Sequence, residues 1–142
     1  MAKRFYPQLV APLTRMLQHE KKHLQAFDSL LKQRKIKPCY ALTLWAIGGY
    51  LLGLITALLG KNAIWICTHA VESTVLTHLK HQLYYLAHHD RQLYDVVLSI
   101  EQDEQNHHDY GLAQQQPSWL NKPIYCVVSM ATTLAIGLST RL

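Results

Sequence analysis

Acidic side chains are scarce in this chain of 142 residues: nine Asp and Glu stand against fourteen Lys and Arg, and glutamate occurs only at Glu20, Glu72, Glu101 and Glu104. Charged residues make up 16% of the chain and hydrophobic ones 49%, an oily balance for a protein this small. Glycine and proline are sparse and no β-branched alternation occurs, which excludes sandwich and barrel folds and favours an all-α one. Cys39, Cys67 and Cys126 are odd in number, widely spaced and never arranged as CxxC. That excludes a disulfide scaffold and a zinc ribbon, leaving reduced, buried thiols of a reducing compartment as the expectation. No secretory signal pattern, nucleotide-binding glycine motif or linker-like composition is present, so one domain over residues 1–142 is expected. The formal charge of +5 concentrates at Lys21, Lys22, Lys32, Arg34, Lys35 and Lys37. Without aromatic residues interleaved in a basic motif, that cluster argues against a nucleic-acid partner. A solvated helix end is the plain reading, and an anionic membrane face is the better functional one.

Periodicity predicts five helices. Residues 1–11 contain Pro7 and form no long helix. Pro12 suits the first position of a helix, and Leu13, Met16, Leu17, Leu24, Phe27, Leu30 and Leu31 follow at helical spacing until Pro38 ends the segment. Residues 39–59 carry no charge and are long enough to span a bilayer, though a fully buried hairpin helix or an interfacial helix fits equally. Residues 60–62 form a break. A third helix then covers 63 to about 88, with Ile64, Cys67, Val71, Val75 and Leu79 inward and Glu72 and His78 as polar intruders. Asp90 can cap a fourth helix through Leu93, Val97 and Ile100 to about Ala113. Residues 114–117 connect to a last apolar helix at 123–139.

Three of the four glutamates have a chemically suggestive setting. Glu20-Lys21-Lys22-His23 and Glu104-Gln105-Asn106-His107 each place an imidazole three residues after a carboxylate, and Glu72 interrupts an apolar stretch. Residues i and i+3 share a helix face, so each pair can offer one oxygen and one nitrogen to a common point. Two such pairs with added carboxylates make the ligand set of a di-iron or di-manganese bundle. On composition alone, two such pairs among four glutamates is an accident of about 2%, so the spacing needs a second line of support. The plain alternative is a pair of solvated helix-face contacts.

That support comes from resemblance. Residues 19–24 with Phe27, residues 56–61, Ala70-Val71-Glu72 with His78, residues 103–112 and the C-terminal Leu138-Ser139-Thr140-Arg141-Leu142 occur in order and at matching spacing. Together they resemble the demethoxyubiquinone hydroxylases, ferritin-like di-iron monooxygenases of ubiquinone biosynthesis. The resemblance implies Glu20, His23, Glu72, Glu104 and His107 as iron ligands, His78 as a histidine close behind them, and Asp103 as a carboxylate orienting a ligand imidazole. Three positions depart from the family. The family begins with a further helix whose His-Ala-Gly-Glu-like motif supplies a sixth ligand, whereas no acid precedes Glu20, so an N-terminally short chain is expected. Leu79 stands where the family has tyrosine, and His69 replaces an apolar residue one turn before Glu72, where it could contact the site or substitute for a ligand.

The resemblance further implies two iron ions, O2 as co-substrate and hydroxylation of the ring of a polyprenylated methoxy-benzoquinol. Electrons come ultimately from a reduced nicotinamide that this chain has no motif to bind. The implied setting is peripheral on a membrane, at the cytoplasmic face of a bacterial inner membrane. Ubiquinone-biosynthesis or lipid-presenting partner proteins are expected there. Two other readings stand beside it. His19-Glu20-Lys21-Lys22-His23 also matches the HExxH helix of zinc proteases, with Glu72 or His69 as third ligand, but this leaves Glu104 and His107 unexplained. A non-enzymatic reading is a membrane-associated relative that binds quinone or a partner without turnover.

Overall fold

In a computed structural model of the chain, residues 6–140 are described; Arg141, Leu142 and residues 1–5 lie outside them. The described residues form five α-helices and no strand: α1 (Val10–Gln33), α2 (Leu42–Leu59), α3 (Lys61–His89), α4 (Arg91–Ala113) and α5 (Asn121–Ser139), with a 3-10 turn at Pro7–Leu9 before α1. The all-α expectation and the five helices hold. Several boundaries move. Pro12 and Pro123 were each expected to open a helix, yet each is the third residue of its own. The first four N–H groups of a helix have no internal acceptor, so proline costs no hydrogen bond there and the helix can begin two residues earlier. The expected break at 60–62 shrinks to Gly60, whose φ of 112° only glycine adopts without strain.

The described chain divides into two compact units, one of residues 6–61 with 135–140 and the other Asn62–Leu134. In the first, α1 ends in a Schellman motif. The Ile36 N–H donates to the Leu31 carbonyl at 2.9 Å and the Lys35 N–H to the Lys32 carbonyl at 3.1 Å. Lys35 occupies the left-handed position at φ 57°, a place that glycine usually fills. Residues 34–38 therefore leave the helix before Pro38 is reached. The 3-10 turn buries Leu9 beneath α1, and the Tyr6 hydroxyl donates to the Ala57 carbonyl of α2 at 3.2 Å.

Of the eighteen residues of α2, only Thr56 and Ala57 are buried. Leu44, Ile47, Tyr50, Ile55 and Leu58 are exposed. The reading of α2 as a fully buried hairpin helix is thereby overturned. Both α2 and α5 are long and apolar enough to cross a membrane, by length and composition.

The second unit contains the best-packed helices. Asp90 caps α4 as expected, its side chain accepting from the Leu93 N–H at 3.0 Å. α3 and α4 run antiparallel. Trp65 meets Tyr110 edge-on with ring centroids 5.4 Å apart, and His69 meets His108 at 4.6 Å, so one number rises as the other falls. Gly111 makes this approach possible. A Cβ there would lie 3.3 Å from both the His69 backbone nitrogen and Thr68 Cγ2. Asn62 fastens the start of α3 to the α4–α5 connector: its Oδ1 accepts from the Gln116 N–H at 2.8 Å, and its Nδ2 donates to Gln116 O and Asn121 Oδ1.

The inward face of α3 differs from expectation. Ile64 and Leu79 are buried, but Cys67, Val71 and Val75 are only partly covered, while Trp65, Ile66, Ala70, Leu76 and Leu86 are buried. Four consecutive buried residues, Ala63 to Ile66, show that the start of α3 is covered on several sides, so no single stripe describes it. The cysteines also depart from expectation. All are free thiols, but Cys39 and Cys67 are half-buried and Cys126 is exposed.

Candidate metal centre

Buried positions on α4 are Val97, Ile100, Glu104, His107 and Gly111, a stripe spaced by threes and fours that faces the packed side of the helix. Two of its five members are ionisable. Removing a carboxylate and an imidazole from water is costly unless each finds a partner. Here they find one another: His107 Nδ1 lies 3.1 Å from Glu104 Oε2, both side chains are about 5% exposed, and the contact holds the imidazole in one orientation.

Glu72, from α3, joins them. One ligand atom each of Glu72, Glu104 and His107 lies within 4.8 Å of the others. Two carboxylates at that separation repel each other unless a proton or a cation lies between them. Oxygen donors with an imidazole suit iron, manganese or zinc, so the donor chemistry fits a divalent metal. The geometry that the ExxH spacing predicts for Glu104 and His107 is present, and Glu72 faces it.

The first ExxH pair differs. On α1, His23 is buried with its Nδ1 3.9 Å from Glu20 Oε2, while the Glu20 side chain is 51% exposed. The pair shares a helix face as its spacing requires, at a looser distance. Among the described residues, the buried polar side chains are His23, Thr56, Glu104 and His107. Thr56 is accounted for, since its hydroxyl donates to the Leu52 carbonyl at 2.9 Å. The other three were all proposed ligands from sequence.

His78 and Asp103 were expected near the ligands. His78 is half-buried on α3 and its Nε2 lies 3.0 Å from Gln82 Nε2, one turn further along the same helix. Asp103 is half-buried on α4, one turn before His107. His69 is not among the grouped ligand residues. Its ring packs on His108 and, at 5.2 Å, on Tyr125 of α5. There it lines a cavity of about 260 Å³ with Ile66, Gln115, Lys122, Tyr125 and Cys126. His69 is thereby removed as a third ligand of the HExxH zinc-protease reading, and no strand occurs among the described residues to form the substrate cleft of such a protease.

Sequence reasoning missed Gly111 and Asn62. Gly111 lies within the residues carrying the resemblance, and a lone glycine inside a helix is itself a signal of close backbone approach. Asn62 gave no such signal, because its partners are 54 and 59 residues away.

Comparison with known proteins places the chain in a family. The family described as ubiquinone biosynthesis protein COQ7 matches residues 1–139. The chain belongs to this family. It is similar to the NADPH-dependent 3-demethoxyubiquinone 3-hydroxylase, mitochondrial, of Homo sapiens, at 32% identity over 137 residues covering 92% of this chain and 62% of that one. The 3-demethoxyubiquinol 3-hydroxylase of Rhodospirillum rubrum is 33% identical over 136 residues, covering 93% and 63%. The Mus musculus relative of the same name as the human one is 35% identical over 104 residues, covering 70% and 48%. The chain thus spans between about half and just under two thirds of the length of these relatives.

Proposed function

We propose that this chain is a di-iron monooxygenase that hydroxylates the ring of a polyprenylated methoxy-benzoquinol in ubiquinone biosynthesis. The observation that carries the reading is the buried Glu104–His107 pair with Glu72 within 4.8 Å, in a member of a ubiquinone-biosynthesis family. Relatives named as hydroxylases of demethoxyubiquinone or its quinol support the substrate class.

Glu72, Glu104 and His107 would hold iron, and Glu20 and His23 of α1 are proposed as further iron ligands. Bound iron would supply the redox chemistry that activates O2. The rest falls to the polypeptide. Glu104 fixes the His107 ring through their 3.1 Å contact, and Asp103 is proposed to orient a ligand imidazole from one turn away. His78 is proposed to stand close behind the ligands. Val97 and Ile100 are buried on the same stripe, and burial raises the penalty for leaving a carboxylate there without a cation.

The exposed apolar surfaces of α2 and α5 fit an isoprenoid tail and a membrane surface, where such a substrate resides. Peripheral attachment at the cytoplasmic face of a bacterial inner membrane is the proposed location. Proteins that present or pass on the lipid are the proposed partners, and a reduced nicotinamide is the proposed electron source. The test is iron content together with turnover. The chain should bind about two irons and hydroxylate a short-tailed demethoxyubiquinol analogue with O2 and reduced nicotinamide. One zinc per chain, or no metal and no hydroxylated product, would overturn the reading.

A further inference from the structure

The segment between α1 and α2 combines charge, an aromatic ring and an apolar helix in a way that a metal site does not require. No Asp or Glu occurs between Asp28 and Glu72. Asp28 is already engaged, its Oδ2 accepting from Lys32 Nζ at 2.6 Å. Lys35 and Lys37 follow with no acid near them in sequence, and both are exposed. The Schellman turn at Lys35 ends α1 and leaves Ile36 53% exposed. Tyr40, 81% exposed, stands two residues before the first residue of α2. α2 itself then presents Leu44, Ile47, Leu51, Ile55 and Leu58 outward.

Each part has its own place in a lipid surface. Acyl chains solvate exposed leucine and isoleucine, tyrosine prefers the level of the headgroups, and lysine stems reach outward to phosphate. Uncompensated lysines at that level favour lipids carrying net negative charge over zwitterionic ones. α5 repeats part of the pattern, since exposed Trp119 and Lys122 flank its first residue.

We propose that Lys35, Lys37 and Tyr40 form a headgroup-binding lip that gives this protein a preference for anionic phospholipid membranes, with α2 as the embedded surface. The proposal rests on the membrane attachment put forward above and assigns the anionic preference to these three residues. Binding of the full chain to vesicles tests both. The vesicles are of phosphatidylcholine alone and of phosphatidylcholine with about a third phosphatidylglycerol, each at low and high salt. Anionic vesicles should bind far more tightly at low salt, and the preference should fade at high salt. Lys35→Gln/Lys37→Gln should lose about thirty-fold of the affinity for anionic vesicles and almost none for neutral ones. Tyr40→Ala should weaken both, and circular dichroism should show unchanged helicity in all variants. Equal binding to the two vesicle types, or a double variant that keeps the full preference, would overturn the lip while leaving membrane attachment intact. Binding to neither type would overturn both.

Discussion

The chain carries the same four-residue spacing twice, and the two copies occupy different surroundings. Glu104 and His107 are buried in the α4 stripe and lie 3.1 Å apart; Glu20 and His23 are 3.9 Å apart on α1 with the glutamate open to solvent. Spacing puts two side chains on one face of a helix in both cases. What covers that face decides how much each charge matters. A pair with one charge in water is worth less, because the solvent already stabilises that charge. A buried pair leaves an unpaired polar group when either member is removed.

Truncating the buried pair should therefore have the largest effect. Glu104→Ala should lower stability by about 3 kcal/mol and abolish iron binding, read by denaturant unfolding and metal quantification. A mild change in both would mean that the pair is not held dry. Gly111→Ala probes the helix approach that buries it. The added methyl meets the His69 backbone at 3.3 Å, and backbone yields little. After the gain in helix propensity, a net loss of about 1 kcal/mol is expected, seen as a lower melting temperature.

Acid should act on the same interface through His69. Burial first, then the positive charge of His108, hold its imidazole below the usual range, with Asp109 pulling the other way. A histidine whose folded pKa lies below its unfolded one contributes stability that is complete above about pH 6.5 and lost as pH falls below it. Hydrogen bonds from His108 and Gln105 hold Asp109 below its ordinary value, so its contribution is lost only as pH falls below about 3.8. His69→Leu should flatten the loss of stability between about pH 7 and pH 5; an unchanged slope would rule out His69 as its source.

Smaller effects belong to α1. Lys35→Gly should stabilise the protein by about 0.5–1 kcal/mol, because glycine adopts φ 57° without strain. Glu20→Ala should change stability without metal by less than about 0.5 kcal/mol, yet remove bound iron if Glu20 is a ligand. Stability unchanged with iron retained would confine metal binding to Glu72, Glu104 and His107.

Much of this was legible in the chain itself. Three of the four glutamates stood out as candidate ligands because glutamate is so rare here, and helix periodicity located five helices with small boundary errors. The errors at Pro12 and Pro123 have one cause. Proline ends a helix it has to continue but not one it has just entered, and sequence alone does not say how far upstream the first turn begins.

Local chemistry, read residue by residue, determined which side chains share a helix face, that Asp90 caps α4, and that the apolar run at 39–59 is long enough to span a bilayer. Tertiary packing decided the rest. It buried Glu104 and His107, turned His69 toward Tyr125, left α2 bare and joined Asn62 to residues more than fifty positions away. Turn geometry repeats every few residues and so is written locally. Burial depends on which distant segment covers a face, and no short stretch of chain contains that information.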